Sequence, residues 1–144
     1  MNPSLSNLSH TVRRLPPFVA FAIVGGAGFG VNELCLFIGL HFFGLDALIA
    51  ALLAFFVTVT FTWYGNRTLT FHGSVATDAR AMVHEWVRFV LVNSIGLAAN
   101  YATFAALVDF GPSPLSSPYV ALAIGSVVGL VFNFYSSQRG VFRG

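Results

Sequence analysis

Charge is what this sequence has least of. Only 8% of its 144 residues are Asp, Glu, Lys or Arg, where a soluble domain carries roughly 25%. So few charges cannot cover a water-facing surface, so the sequence does not read as a soluble globular domain. Lysine is absent, and the seven basic residues are all arginine. They flank apolar blocks instead of forming a patch, so the net charge of +2 predicts no nucleic-acid partner. Cys35 is the single cysteine. That excludes an intrachain disulfide or a cysteine-rich metal site, and within its apolar stretch Cys35 reads as a small core hydrophobe. The four histidines are scattered through loops and helix ends. There is no His/Cys ligand spacing, no nucleophile elbow and no phosphate loop with its lysine. The expectation is therefore no enzyme, no catalytic residues, no metal and no cofactor.

What is abundant is apolar. Hydrophobic residues make up 56% of the chain and its mean hydropathy is +0.79. The length suits about four spans of ~20 residues with short connections. The predicted spans are Pro17 to Leu40, Ala47 to Tyr64, Trp86 to Val108 and Tyr119 to Tyr135. The first is too long for the apolar core of a signal peptide and reads as a true span. Residues 1–16 form a polar N-terminal segment, and 17–144 read as one four-helix transmembrane domain. Before the third span, Asp78 is predicted to cap a helix starting at Ala79. That helix reads as an interfacial lead-in, with Trp86 at headgroup depth. The Pro- and Ser-rich run from Gly111 to Pro118 is a turn.

The arginines also set an orientation. Arg13 and Arg14 precede the first span. Arg67, Arg80 and Arg88 lie between the second and third, and Arg139 and Arg143 follow the fourth. The other two connections carry Asp46 and Asp109 and no arginine. The positive-inside rule then puts both termini and the middle loop in the cytoplasm.

The two halves resemble each other. Phe21, Val24, Gly28 and Asn32 recur sixty-eight positions later as Phe89, Val92, Gly96 and Asn100. Ala50, Val57, Phe61, Tyr64, Phe71 and Gly73 recur seventy-one positions later as Ala121, Val128, Phe132, Tyr135, Phe142 and Gly144. The predicted fold is all-α: two parallel two-helix repeats, 18–73 and 86–144, each starting and ending inside. In transporters built this way a substrate site often lies between the copies; the alternative is that duplication merely built a stable bundle.

Several polar groups fall inside the apolar runs. Glu33 is the only acid well within one, and intramembrane acids usually serve function. It either faces a polar interior or snorkels to the outer interface. Asn32 and Asn100 occupy matching positions, and Asn93 and Asn133 add two more amides. They read as interhelical glue or as a polar path. Gly26 and Gly30, and again Gly125 and Gly129, make small-xxx-small faces suited to close helix packing. After each even helix comes a polar segment with an arginine and a closing aromatic: Tyr64-Gly65-Asn66-Arg67-Thr68-Leu69-Thr70-Phe71, then Tyr135-Ser136-Ser137-Gln138-Arg139-Gly140-Val141-Phe142. Guanidinium forks suit phosphate; the plainer reading is a positive-inside anchor.

At these residues the chain resembles the GtrA-like family of small bacterial membrane proteins. The resemblance rests on Phe21, Val24-Gly25-Gly26, Asn32, the segment Asn66 to Phe71, Asn133-Phe134 and Val141-Phe142, and spans roughly residues 18–142. Two places depart from the family pattern. Thr62-Trp63 stands where Asn-Phe is common. Ser137-Gln138, with Arg139 one place later, stands where Ser-Arg is usual.

The resemblance implies work in cell-surface polysaccharide synthesis at the bacterial inner membrane. Its first form is flipping of a polyprenyl-phosphate-linked sugar to the outer leaflet. Arg67, Asn66, Arg139, Gln138 and Arg88 would then meet the phosphate, and Asn32, Glu33, Asn100 and Asn133 would line a polar path. Its second form is an adaptor that recruits or supports a membrane glycosyltransferase through residues 72–88. A third reading, a small proton-coupled exporter using Glu33, fits poorly with seven arginines on one side. Four helices enclose little volume, which also fits a homo-oligomer.

Overall fold

The computed structural model describes residues 15–142. Arg13, Arg14 and Arg143, part of the orientation pattern, and Gly144, matched to Gly73, lie outside the described residues. The chain divides into two compact units, the first running to Met82 and the second from Val83. Among the described residues there are four long helices and no strand.

The first unit is a helical hairpin. Helix α1, Pro17–His41, begins with proline in its first turn, where the missing N–H is not needed. A tight connection follows, in which Gly44 takes a positive φ of 60°, a conformation that a Cβ disfavours. Helix α2, Ala47–Gly65, is capped by Asp46, whose Oδ1 accepts from Leu48 N–H at 2.9 Å. It then widens into a π-helical turn, Asn66–Thr70, closed by Phe71 N–H donating to Asn66 O at 2.8 Å.

Helix α3, Ala79–Phe110, starts in the first unit and carries on into the second. Asp78 Oδ1 accepts from Ala81 N–H at 2.9 Å, the cap expected from the sequence. The expected interfacial lead-in is instead continuous with the third span in one 32-residue helix. The reason is local: no glycine or proline interrupts the run before Gly96.

Helix α4, Pro118–Ser136, again opens on proline. It ends in a second π-helical turn, Ser137–Val141, where Phe142 N–H donates to Ser137 O at 3.0 Å.

All four helices are long and apolar enough to cross a membrane, and no more than 28% of the most apolar window of any of them is buried. The 25 residues of α1 rise about 37 Å at 1.5 Å each, enough for a ~30 Å hydrocarbon core. Side chains such as Phe29, Leu48 and Leu122 project outward. With the backbone of the four spans paired inside helices, this surface suits lipid and not water. The protein is a multi-pass membrane protein.

Each hairpin is held by close backbone approach at a few small residues. In the first, a methyl on Gly28 would collide with the Thr62 side chain, and one on Gly65 would come within 2.8 Å of Val24 Cγ1. In the second, a methyl on Gly96 would collide with the Asn133 amide, and one on Gly125 would lie 2.7 Å from Asn100 O. Gly129 sits against Gly96 O and Asn100 Cβ. Gly125 and Gly129 thus pack as expected. Gly26 and Gly30 do not: both are exposed, with nothing within 4 Å of an added Cβ. They lie on the side of α1 turned away from α2, and the packing role belongs to Gly28.

Candidate functional site

The polar end of each hairpin is its π-helical turn. A π turn takes one residue more than an α turn and commonly marks a functional position. Here it changes the direction of the side chains beyond the apolar helix. In the first hairpin it turns Asn66 inward, leaving it 1% exposed, with Oδ1 accepting from Thr70 Oγ1 at 2.9 Å. Phe71 then folds back edge-on to Phe21, centroids 6.2 Å apart. The second hairpin places residues at the corresponding positions in the same way. Ser137 is fully buried, Val141 is buried, and Phe142 packs on Phe89 at 5.8 Å.

The two arginines differ in what holds them. Arg67 is half-buried. It donates to Ala76 O, and its guanidinium carbon stands 5.6 Å from the centre of the Trp63 ring. Arg139 is exposed, with its guanidinium carbon 5.7 Å from the centre of the Tyr135 ring. Both distances suit a cation–π contact. Gln138 and Arg88 are exposed as well. Beside Arg139 opens a depression of about 390 Å³, lined by Val92, Tyr135, Ser136, Arg139 and Gly140.

Deeper along the seams lie the amides expected to form a polar path. Asn32 Oδ1 accepts from Thr58 Oγ1 at 3.4 Å, which ties α1 to α2. Asn100 packs against the glycines of α4, and Asn133 against Gly96 of α3. The Asn133 Oδ1 is buried and makes no hydrogen bond among the described residues; the same holds for Ser137 Oγ. Asn93 bonds to Phe89 O of its own helix, at 2.9 Å, instead of bridging two helices. Glu33 is exposed on α1.

The sequence matches the GtrA/DPMS transmembrane domain over residues 20–142. The chain belongs to the GtrA/DPMS transmembrane-domain family. Membership makes it a membrane protein of polyprenyl-sugar-related processes, in a family that is generally non-catalytic. No curated protein matches the sequence.

Against that family assignment, two features had not been singled out from the sequence. Glu85, near the start of α3 between His84 and Trp86, is only 4% exposed. Ser137 is buried, and its only sequence signal is its alignment with Asn66 at the seventy-one-residue shift. Among the described residues no cluster of His, Cys, Asp or Glu is arranged to hold a metal.

Proposed function

We propose that this GtrA/DPMS-family chain moves a polyprenyl-phosphate-linked sugar from the cytoplasmic to the outer leaflet of the bacterial inner membrane, for cell-surface polysaccharide synthesis. The observation that carries this reading is the doubled ending: each hairpin finishes in a π-helical turn bearing an arginine stacked on an aromatic ring. By the positive-inside rule these endings face the cytoplasm, and Asp46 and Asp109 mark the opposite ends of the two hairpins.

The headgroup is the hard part of the transfer, because charge and hydroxyls are expensive in hydrocarbon. The polyprenyl tail stays in lipid alongside the exposed apolar faces. The seam amides supply hydrogen-bonding groups at membrane depth; Asn133 in particular offers a buried acceptor without a partner among the described residues. No covalent step is involved, so no catalytic residue is assigned.

A photoactivatable polyprenyl-phospho-hexose, added to membranes holding the protein, tests the reading. Label competed away by unlabelled lipid should map to 66–71 or 137–142. Label found solely around Asp46 and Asp109 would contradict it. An adaptor would instead show cross-links from residues 72–88 to a glycosyltransferase, with no competed label at either turn.

A further inference from the structure

We infer that phosphate binding belongs to the second hairpin alone: Arg139, backed by Arg88, forms an anion site over the depression at Val92, Tyr135, Ser136 and Gly140, and Arg67 serves as a strut. The inference rests on the transport reading for the identity of the anion, a phosphate diester. The site itself stands on the geometry.

Arg67 is committed. Its donation to Ala76 O fastens the chain nine residues downstream and occupies an N–H edge of the fork, while the Trp63 ring covers one face. Turning that guanidinium toward a ligand would release the loop between α2 and α3. Arg139 has no such tie. It is exposed, and among the described residues its only contact of this kind is the Tyr135 ring. Stacking holds one face of the guanidinium plane and leaves the N–H edges open, and those edges take phosphate oxygens in pairs.

The surroundings agree. Arg88 stands one helical turn before Val92 on the same face of α3, so a second cation is on the side that lines the depression. The position matching Arg88 in the first hairpin is Ala20, which is buried. Gly140 has nothing within 4 Å of an added Cβ, so backbone is open there to a ligand. The hydrogen bonding of the two turns is unequal as well. Asn66 is partnered by Thr70, whereas Ser137, at the equivalent place and fully buried, keeps an unpartnered hydroxyl among the described residues. The negative end of the α4 dipole disfavours an anion here. Binding therefore depends on the guanidinium, and removing its charge should abolish the site.

The test is equilibrium binding to the purified chain in nanodiscs. The probes are a polyprenyl-phospho-hexose, phosphatidylglycerol and free hexose-1-phosphate. Arg139→Gln should weaken binding of the sugar lipid at least tenfold, and Arg88→Gln several-fold. Arg67→Gln should lower the melting temperature while folded protein still binds within about threefold of the parent. Hexose-1-phosphate competing at the same site marks the phosphate as the recognised group; lack of competition assigns recognition to the membrane-held lipid, and either result supports the site if it depends on Arg139. Phosphatidylglycerol bound as well as the sugar lipid, in an Arg139-dependent way, would keep the site and remove the transport reading. Sugar-lipid binding that survives Arg139→Gln and is lost in folded Arg67→Gln would overturn the site and keep that reading. No saturable binding of any probe overturns the site.

Discussion

Gly96 on α3 and Asn133 on α4 are in direct contact: the amide of Asn133 fills the place that a Cβ at position 96 would take. The matching pair in the first hairpin is Gly28 with Thr62. A small residue on the odd helix thus admits a polar side chain from the even one, at the same level of each hairpin. Lipid gives helices no hydrophobic drive to associate, so this close approach is central to what holds the pairs.

Gly96→Ala should therefore destabilise the fold by about 1–3 kcal/mol, because an overpacked contact must push Asn133 or the helix aside. Gly26→Ala, with open space around it, should change stability by no more than about 0.5 kcal/mol. Thermal unfolding of both variants in the same detergent checks the contrast.

The π-helical turn of the first hairpin depends on the buried Asn66–Thr70 hydrogen bond. Thr70→Val keeps the shape and leaves the Asn66 amide short of a donor. The expected loss is about 1–3 kcal/mol. Titration with a denaturing detergent measures it, and Thr70→Ser should recover most of it.

Two aspartates cap helices. Asp46→Ala removes the acceptor for Leu48 N–H, and Asp78→Ala the acceptor for Ala81 N–H. Each should lose about 0.5–2 kcal/mol, and the Asn variants less. Hydrogen exchange at the first turns of α2 and α3 should rise in the Ala variants only.

Asn32 and Thr58 are joined at 3.4 Å, a long hydrogen bond. A double-mutant cycle with Asn32→Ala and Thr58→Val should give a coupling near the ~0.6 kcal/mol typical within membranes. A coupling of several kcal/mol would mean that a larger polar network runs through the seam.

Much of the fold is legible in the sequence. Four apolar runs bounded by Pro17, Asp46, Asp78 and Pro118 define the helices, because lipid leaves few alternatives to a helix. The continuity of α3 was missed because charge at Arg80, His84 and Glu85 signals an interface, not a break, and nothing there stops a helix. The π turns were not legible, since no residue among Asn66–Thr70 requires an i to i+5 bond. Only the parallel between the two endings hinted at a common geometry. Gly26 and Gly30 misled because spacing shows that glycines share a face but not which face meets the partner; Gly28 lies two residues away, about 160° around the helix. The candidate site is legible in part. Arg67 and Arg139 stand out equally in the sequence, and only the structure separates the one tied to Ala76 from the one left exposed.

The most direct measurement is transfer of a fluorescent polyprenyl-phospho-hexose between leaflets of liposomes holding only this purified chain, followed by loss of accessibility to an impermeant quencher. Transfer well above protein-free liposomes, and sharply reduced by Arg139→Gln, is the expected result. Transfer at the protein-free rate by folded, lipid-binding protein would contradict a flippase and leave the chain as a partner of the enzyme that makes the lipid.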